Sequence, residues 1–140
     1  MSHTCKALIL HCIDFRLGAA IKNYLEGLSL LGEADIVSVA GAVKNLVSPA
    51  LPTDAEFVLR QIDLSKRLHG IAEVILINHT DCGAYGGRQA FRSDEEEYEK
   101  HSSDLKKAKE MILAQFPGLE IRTILAKIPA KNRPDWAIFD

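Results

Sequence analysis

Cys12, Asp14 and Arg16 stand at alternating positions in the stretch ILHCIDFRL, at the end of a short apolar run. A second apolar run, AEVILIN from Ala72 to Asn78, ends as abruptly in His79 and Cys82. Two thiolates and an imidazole suit zinc, which binds Cys sulfur at about 2.3 Å and His nitrogen at about 2.0–2.1 Å. Three protein ligands leave a fourth position for water, the arrangement of a catalytic rather than a structural zinc. Each residue also has a plainer use. Cys12 alone reads as a small buried hydrophobe, His79 as a hydrogen-bonded loop residue, and Asp14 and Arg16 as a turn and a surface cation. The coincidence of C-x-D-x-R and H-x-x-C, each behind an apolar strand and ahead of a helix, favours a common metal site.

Four apolar runs must position these residues: Lys6–His11, Asp35–Ala40, Ala72–Asn78 and Ile121–Ile128. Their near-continuous Val, Ile and Leu content predicts strands covered on both faces, as in a parallel sheet. Leu17, Ala20, Ile21, Tyr24, Leu25 and Leu28 recur at helical spacing after the first strand. Thr53 and Glu56, directly after Pro52, spell a capping box for a helix running to about Leu68, with Ala55, Val58, Leu59 and Ile62 inward and Gly70 as its stop. Gly83, Gly86 and Gly87 predict a loop and a short helix. Ser93 and Glu96 form a further capping box. The helix they open carries an inward stripe of Tyr98, Leu105, Ala108, Ile112 and Phe116, with the charges of DEEEYEK and KKAK on its wet face. The order β-α-β-α-β-α-β predicts a mostly parallel α/β sheet with helices on both faces. Ligands of such sheets bind at the carboxyl ends of the strands, where Cys12, His79 and Cys82 all lie.

The 140 residues are expected to form one domain, 1–140. A formal net charge of −2 offers no basic field for nucleic acid. No apolar run approaches the roughly 20 residues needed to span a bilayer. The N-terminus lacks the features of a signal peptide, so the expected compartment is the cytoplasm. Three cysteines, Cys5, Cys12 and Cys82, suggest reduced thiols or metal ligands rather than a disulfide framework. Cys5 lies too early to reach the site and is expected in the core. Trp136, Ile138 and Phe139 in the final segment can pack on the body or on a partner chain.

Cys12-Ile13-Asp14-Phe15-Arg16 and His79-Thr80-Asp81-Cys82-Gly83 resemble the two signature motifs of the β-class carbonic anhydrases, over roughly Lys6 to Gly87. The resemblance implies a β-carbonic-anhydrase-like sheet of about four to five strands in the order 2-1-3-4. It also implies one Zn²⁺ per chain, held by Cys12, His79 and Cys82, with an Asp14–Arg16 dyad beside it. The implied activity is reversible hydration of carbon dioxide to bicarbonate, in a homodimer or higher homo-oligomer with sites near the subunit interface. The chain departs from the family pattern in three ways. It is short and begins almost directly with the first strand, without the usual helical arm. Ser38-Val39-Ala40-Gly41 keeps only the Ala-Gly of a loop usually close to R-N-A-G, and Phe15 stands where a small serine is common.

Zinc lowers the pKa of bound water to about 7 and so supplies hydroxide at mild pH. Two thiolates cancel the charge of Zn²⁺, so activity is expected to rise toward alkaline pH. Arg16 can hold Asp14 ionised and aimed at the metal; released, the same carboxylate can occupy the fourth position. Thr80 and Asp81 are either outer hydrogen-bond partners of the ligands or surface loop residues. His11 is either a proton relay or a strand-end residue pointing away. Within the same fold, the alternatives are a zinc hydrolase of a small linear substrate such as carbonyl sulfide, or a zinc-binding homologue with little activity. A different class enters through Cys82 to Arg88, which spells the C-x5-R of cysteine-dependent phosphatases. Asp81 beside the thiol and Gln89 after the arginine disfavour it.

Overall fold

The two central apolar runs become strands with no wet side, because helices cover both faces. The outer two, expected to be covered likewise, keep exposed residues such as Ile36 and Arg122. The structure, a computed structural model, describes residues 3–129, 137 and 139. Its elements run β1 (Ala7–His11), α1 (Gly18–Gly27), β2 (Ala34–Ser38), α2 (Lys44–Val47), α3 (Pro52–His69), β3 (Glu73–His79), α4 (Asp94–Gln115) and β4 (Glu120–Ala126), with 3₁₀ turns at Phe15–Leu17, Gly83–Tyr85 and Arg88–Ala90. The four strands form a parallel sheet in the order β2-β1-β3-β4, as expected. In register, β1 pairs Leu8 with Asp35 on one side and with Val74 on the other.

Alternation along β1 divides the core. Leu8 and Leu10 face one cluster with Leu46, Val58, Ile62, Leu105 and Ile112, from α2, α3 and α4. Ala7 and Ile9 face the other, with Ala20, Ile21 and Leu25 of α1 and with Cys12 and Cys82. The site is therefore anchored to the α1 face of the sheet.

Several expectations are corrected in detail. The Thr53–Glu56 capping box is not formed. Pro52 is the first helical residue, Leu51 is the cap, and the Asp54 carboxylate accepts from the Leu51 amide at 3.2 Å. Gly70 does stop α3, with a positive φ of 64°. Ser93 caps α4 by accepting from the Glu96 amide at 3.1 Å, but the Glu96 carboxylate turns to Arg92 instead of closing the box. The short helix α2 lies in what the sequence reads as loop. Cys5 is only half-buried against the core edge. Ala137 and Phe139 pack on the α1 face, where the Phe139 and Tyr24 rings stack with centroids 4.6 Å apart. Trp136 and Ile138 lie outside the described residues. Among the described residues, no helix is long and apolar enough to cross a membrane.

The largest correction concerns α4. Glu97, read as part of a wet face, and His101 and Asp104, to which the sequence reading gave no place, are 1%, 0% and 1% exposed. Their spacing of four and three residues puts all three on one face of the helix, and that face packs against the end of β3.

Candidate metal centre

Cys12 follows the last residue of β1, and His79 is the last residue of β3. A tight turn through Asp81, at a positive φ of 55°, then brings Cys82 back beneath the strand end. The two sulfurs and an imidazole nitrogen lie within 4.8 Å of one another, and all three residues are buried. The His79 ring is fixed by its Nδ1, 2.7 Å from the Thr80 carbonyl oxygen. That contact makes Nδ1 the donor and leaves the lone pair on Nε2. Nε2 is buried without a hydrogen-bond partner. Buried polar atoms are seldom left unsatisfied. A lone pair aimed at two sulfurs is what a zinc ion coordinated by Cys₂His would satisfy, and the donor set suits that ion.

The electrostatics of the free ligands agree. Hydrogen bonding from the Cys82 thiol holds Cys12 down to about 4, despite burial, with further help from His79 and the Gly41 amide. Cys82 is pushed up, because it shares its proton with the Cys12 sulfur and is itself buried. Burial opposes a charge on His79, but the negative Cys12 sulfur outweighs it and raises the imidazole. The cluster is therefore one proton-sharing unit, in which the surroundings favour the thiolate at Cys12 over Cys82. The Gly41 amide donates to the Cys12 sulfur at 3.4 Å. Gly41 has a φ of +82°, and a Cβ there would meet the Ala84 Cβ at 2.9 Å. Only glycine fits this position without strain.

Asp14 and Arg16 lie in and beside the 3₁₀ turn that follows. Asp14 Oδ1 accepts from the Arg16 amide at 2.9 Å and from Nε at 3.0 Å, while Oδ2 accepts from an Arg16 terminal nitrogen at 2.7 Å. These bonds hold the Asp14 carboxyl below its usual range. Asp14 Oδ2 also lies 3.8 Å from His79 Nε2. The acid thus stands on the arginine, next to the Cys12, His79 and Cys82 cluster. Arg16 reaches further, donating to the Asp81 carboxylate at 3.0 Å and to its carbonyl at 2.9 Å.

Thr80 and Asp81 are hydrogen-bond partners rather than surface loop residues. Thr80 orients His79 through its carbonyl, and its hydroxyl accepts from the Ile128 amide at 2.8 Å. His11 is turned to the Cys12 carbonyl, with Nδ1 at 2.7 Å. Gly83 has open space where its Cβ would be, so no close approach demands glycine there. Arg88 donates to the Ile128 carbonyl at 2.6 Å, so its guanidinium is committed away from the cradle a phosphatase would need.

Behind the ligands runs a buried network that the sequence reading missed. The Val43 amide donates to Asn78 Oδ1, whose amide nitrogen then donates to Tyr85 Oη and His101 Nδ1, both at 3.0 Å. The Tyr85 hydroxyl donates to Asp104 at 2.8 Å, and Glu97 accepts from the Asp81 amide at 2.7 Å. The signal was available: three acceptor or donor residues at helical spacing, Glu97, His101 and Asp104, on the same face as Leu105 and Ala108. Charge density elsewhere on the helix obscured it.

The sheet order and the helices around it make this the fold of the β-carbonic anhydrases. A β-carbonic anhydrase isoform I from Trichomonas vaginalis superposes with a TM-score of 0.58 at 14% identity, covering 99% of this chain and 83% of that one. A carbonic anhydrase from Streptococcus mutans gives 0.50 at 22% identity, covering 90% and 78%. The chain belongs to the family described as "Putative carbonic anhydrase", whose model matches residues 2–128. Uncharacterized proteins of Rickettsia conorii and Rickettsia bellii are 30% and 31% identical to it over 121 residues. The matched region is 84% of this chain in both cases, and spans 65% and 74% of those relatives.

Proposed function

We propose that the protein is a zinc-dependent carbonic anhydrase, with Cys12, His79 and Cys82 as the metal ligands and Asp14 and Arg16 as the catalytic pair. The observation that carries this reading is the buried, unpartnered Nε2 of His79, facing two sulfurs, with a carboxylate 3.8 Å away. Zinc, when bound, acts as a Lewis acid that makes hydroxide available near neutral pH. The chain supplies the rest. Asp14, kept ionised by Arg16, would accept a hydrogen bond from the nucleophilic oxygen and so orient it toward carbon dioxide. Arg16 engages both carboxylate oxygens of Asp14 and so would keep the acid from coordinating the metal itself. Gly41 stabilises the Cys12 thiolate through its amide, and Thr80 fixes the His79 tautomer.

The same reading makes the working unit a homodimer or larger. Ile13 and Phe15, flanking the dyad, are 64% and 81% exposed, and a second copy covering them would also exclude water from the site. Reduced thiols at Cys5, Cys12 and Cys82 suit a cytoplasmic protein.

The test is stopped-flow hydration of carbon dioxide by zinc-loaded protein, run beside carbonyl sulfide hydrolysis, with Asp14→Ala as control. The proposal expects hydration, little carbonyl sulfide turnover, and a loss of about 100-fold or more in Asp14→Ala. Faster turnover of carbonyl sulfide would reassign the substrate, and a zinc-loaded protein inactive on both would leave a binding protein.

A further inference from the structure

We propose that Cys5, Asp35 and His69 form a second metal site, at the opposite edge of the sheet from the first. The site takes a divalent transition ion of the zinc type. Cys5 precedes β1, whereas Cys12 follows it, so the strand itself separates the two clusters. Asp35 is the second residue of β2 and pairs in register with Leu8. His69 is the last residue of α3. The backbone fixes their meeting: the Cys5 amide donates to the His69 carbonyl at 3.0 Å, tying the segment before β1 to the helix end. One ligand atom from each residue lies within 4.8 Å of the other two.

The donor set points to the class of ion. A thiolate and an imidazole select zinc, cobalt or nickel over magnesium and calcium, which prefer all-oxygen shells. Thiolate and carboxylate together neutralise a divalent charge, and binding releases the Cys5 thiol proton to solvent. Outer support exists already. The Ser65 hydroxyl donates to Asp35 Oδ2 at 2.6 Å, and His69 Nδ1 lies 2.6 Å from the same oxygen. The Asp35 and His69 side chains are each 32% exposed, which gives an ion a path in. His3, two residues before Cys5, sets its ring 6.1 Å from that of His69 and is a candidate for a fourth ligand. An ion pair joins Asp35 to His69, and a long hydrogen bond of 3.7 Å joins the Cys5 thiol to the Ala7 carbonyl. An ion held by all three residues would draw the thiol from that weak bond.

The test uses the full chain carrying Cys12→Ser and His79→Ala, titrated with cobalt. A sulfur-to-cobalt charge-transfer band at one equivalent, lost on adding Cys5→Ala or His69→Ala, is the expected result. No band, or one that survives both substitutions, overturns the proposal. Should that background fail to fold by circular dichroism, Cys5→Ala alone in the otherwise native chain decides. The expected result is one fewer zinc per chain with carbon dioxide hydration unchanged; unchanged zinc content would overturn the site.

Discussion

Arg16 and Asp81, 65 residues apart in the chain, are joined twice, through the Asp81 carboxylate at 3.0 Å and its carbonyl at 2.9 Å. With Asp14 on its other edge, the guanidinium fastens the turn after β1 to the turn after β3. Each turn carries a proposed metal ligand, so Arg16 holds the acid and also sets the separation of Cys12 from Cys82. Its flat fork makes this possible; a lysine ammonium is a single point of charge.

Arg16→Lys is therefore expected to keep its zinc but to lose about 10- to 100-fold in hydration rate, the usual cost of removing an outer partner of a metal site. Stopped-flow assays on protein of verified zinc content check this. A rate within about twofold of the parent would remove Arg16 from the mechanism.

Gly41 tests the backbone support of Cys12. Gly41→Ala must place a side chain at a φ of +82° and 2.9 Å from the Ala84 Cβ, and is expected to cost about 1–3 kcal/mol in denaturant unfolding. Adding Ala84→Gly removes the closest collision but neither the tight 3.3 Å approach to the Lys44 Cβ nor the unfavourable φ, so it should recover only part of the loss. Full recovery would show that backbone conformation is not what requires glycine here.

His101 gives a pH dependence with a definite sign. Burial, and then the nearby charge of His79, lower its pKa from 6.5 to about 4, and its Nδ1 accepts from Asn78 only while the ring is neutral. As pH falls below about 6.5, the unfolded chain takes up this proton and the folded chain does not. Stability is thus fully present above the unfolded value and falls by roughly 3 kcal/mol between pH 6.5 and 4. His101→Gln should lose stability less steeply over that window, by up to one proton. Comparing the two slopes cancels the pH dependence of the metal itself. Identical slopes would show that His101 does not titrate as argued.

The fold was legible chiefly through its two central strands, β1 and β3, which are buried on both faces. In β1 and β3 the continuous apolar runs marked buried strands, and the C-x-D-x-R and H-x-x-C spacings marked two strand ends that the sheet order then brought together. What stayed hidden depends on tertiary partners. Glu97 read as solvated because charge usually is, and its burial with His101 and Asp104 depends on partners elsewhere in the fold, Asp81, Tyr85 and Asn78. Gly41 was visible as a remnant of a loop motif, but its amide on the Cys12 sulfur needs the β2–α2 turn in place. Cys5 looked like core because nothing local reveals that Asp35 and His69 converge on it.

The central claim is that two sulfurs and one imidazole hold a single zinc at the carboxyl edge of the sheet. Zinc X-ray absorption on the full chain carrying Cys5→Ala, which silences the second cluster, tests it most directly. The account predicts tightly held zinc with two sulfurs near 2.3 Å and one nitrogen at about 2.0–2.1 Å, abolished by Cys12→Ser. A chain that retains no zinc, or zinc bound without sulfur, would contradict it.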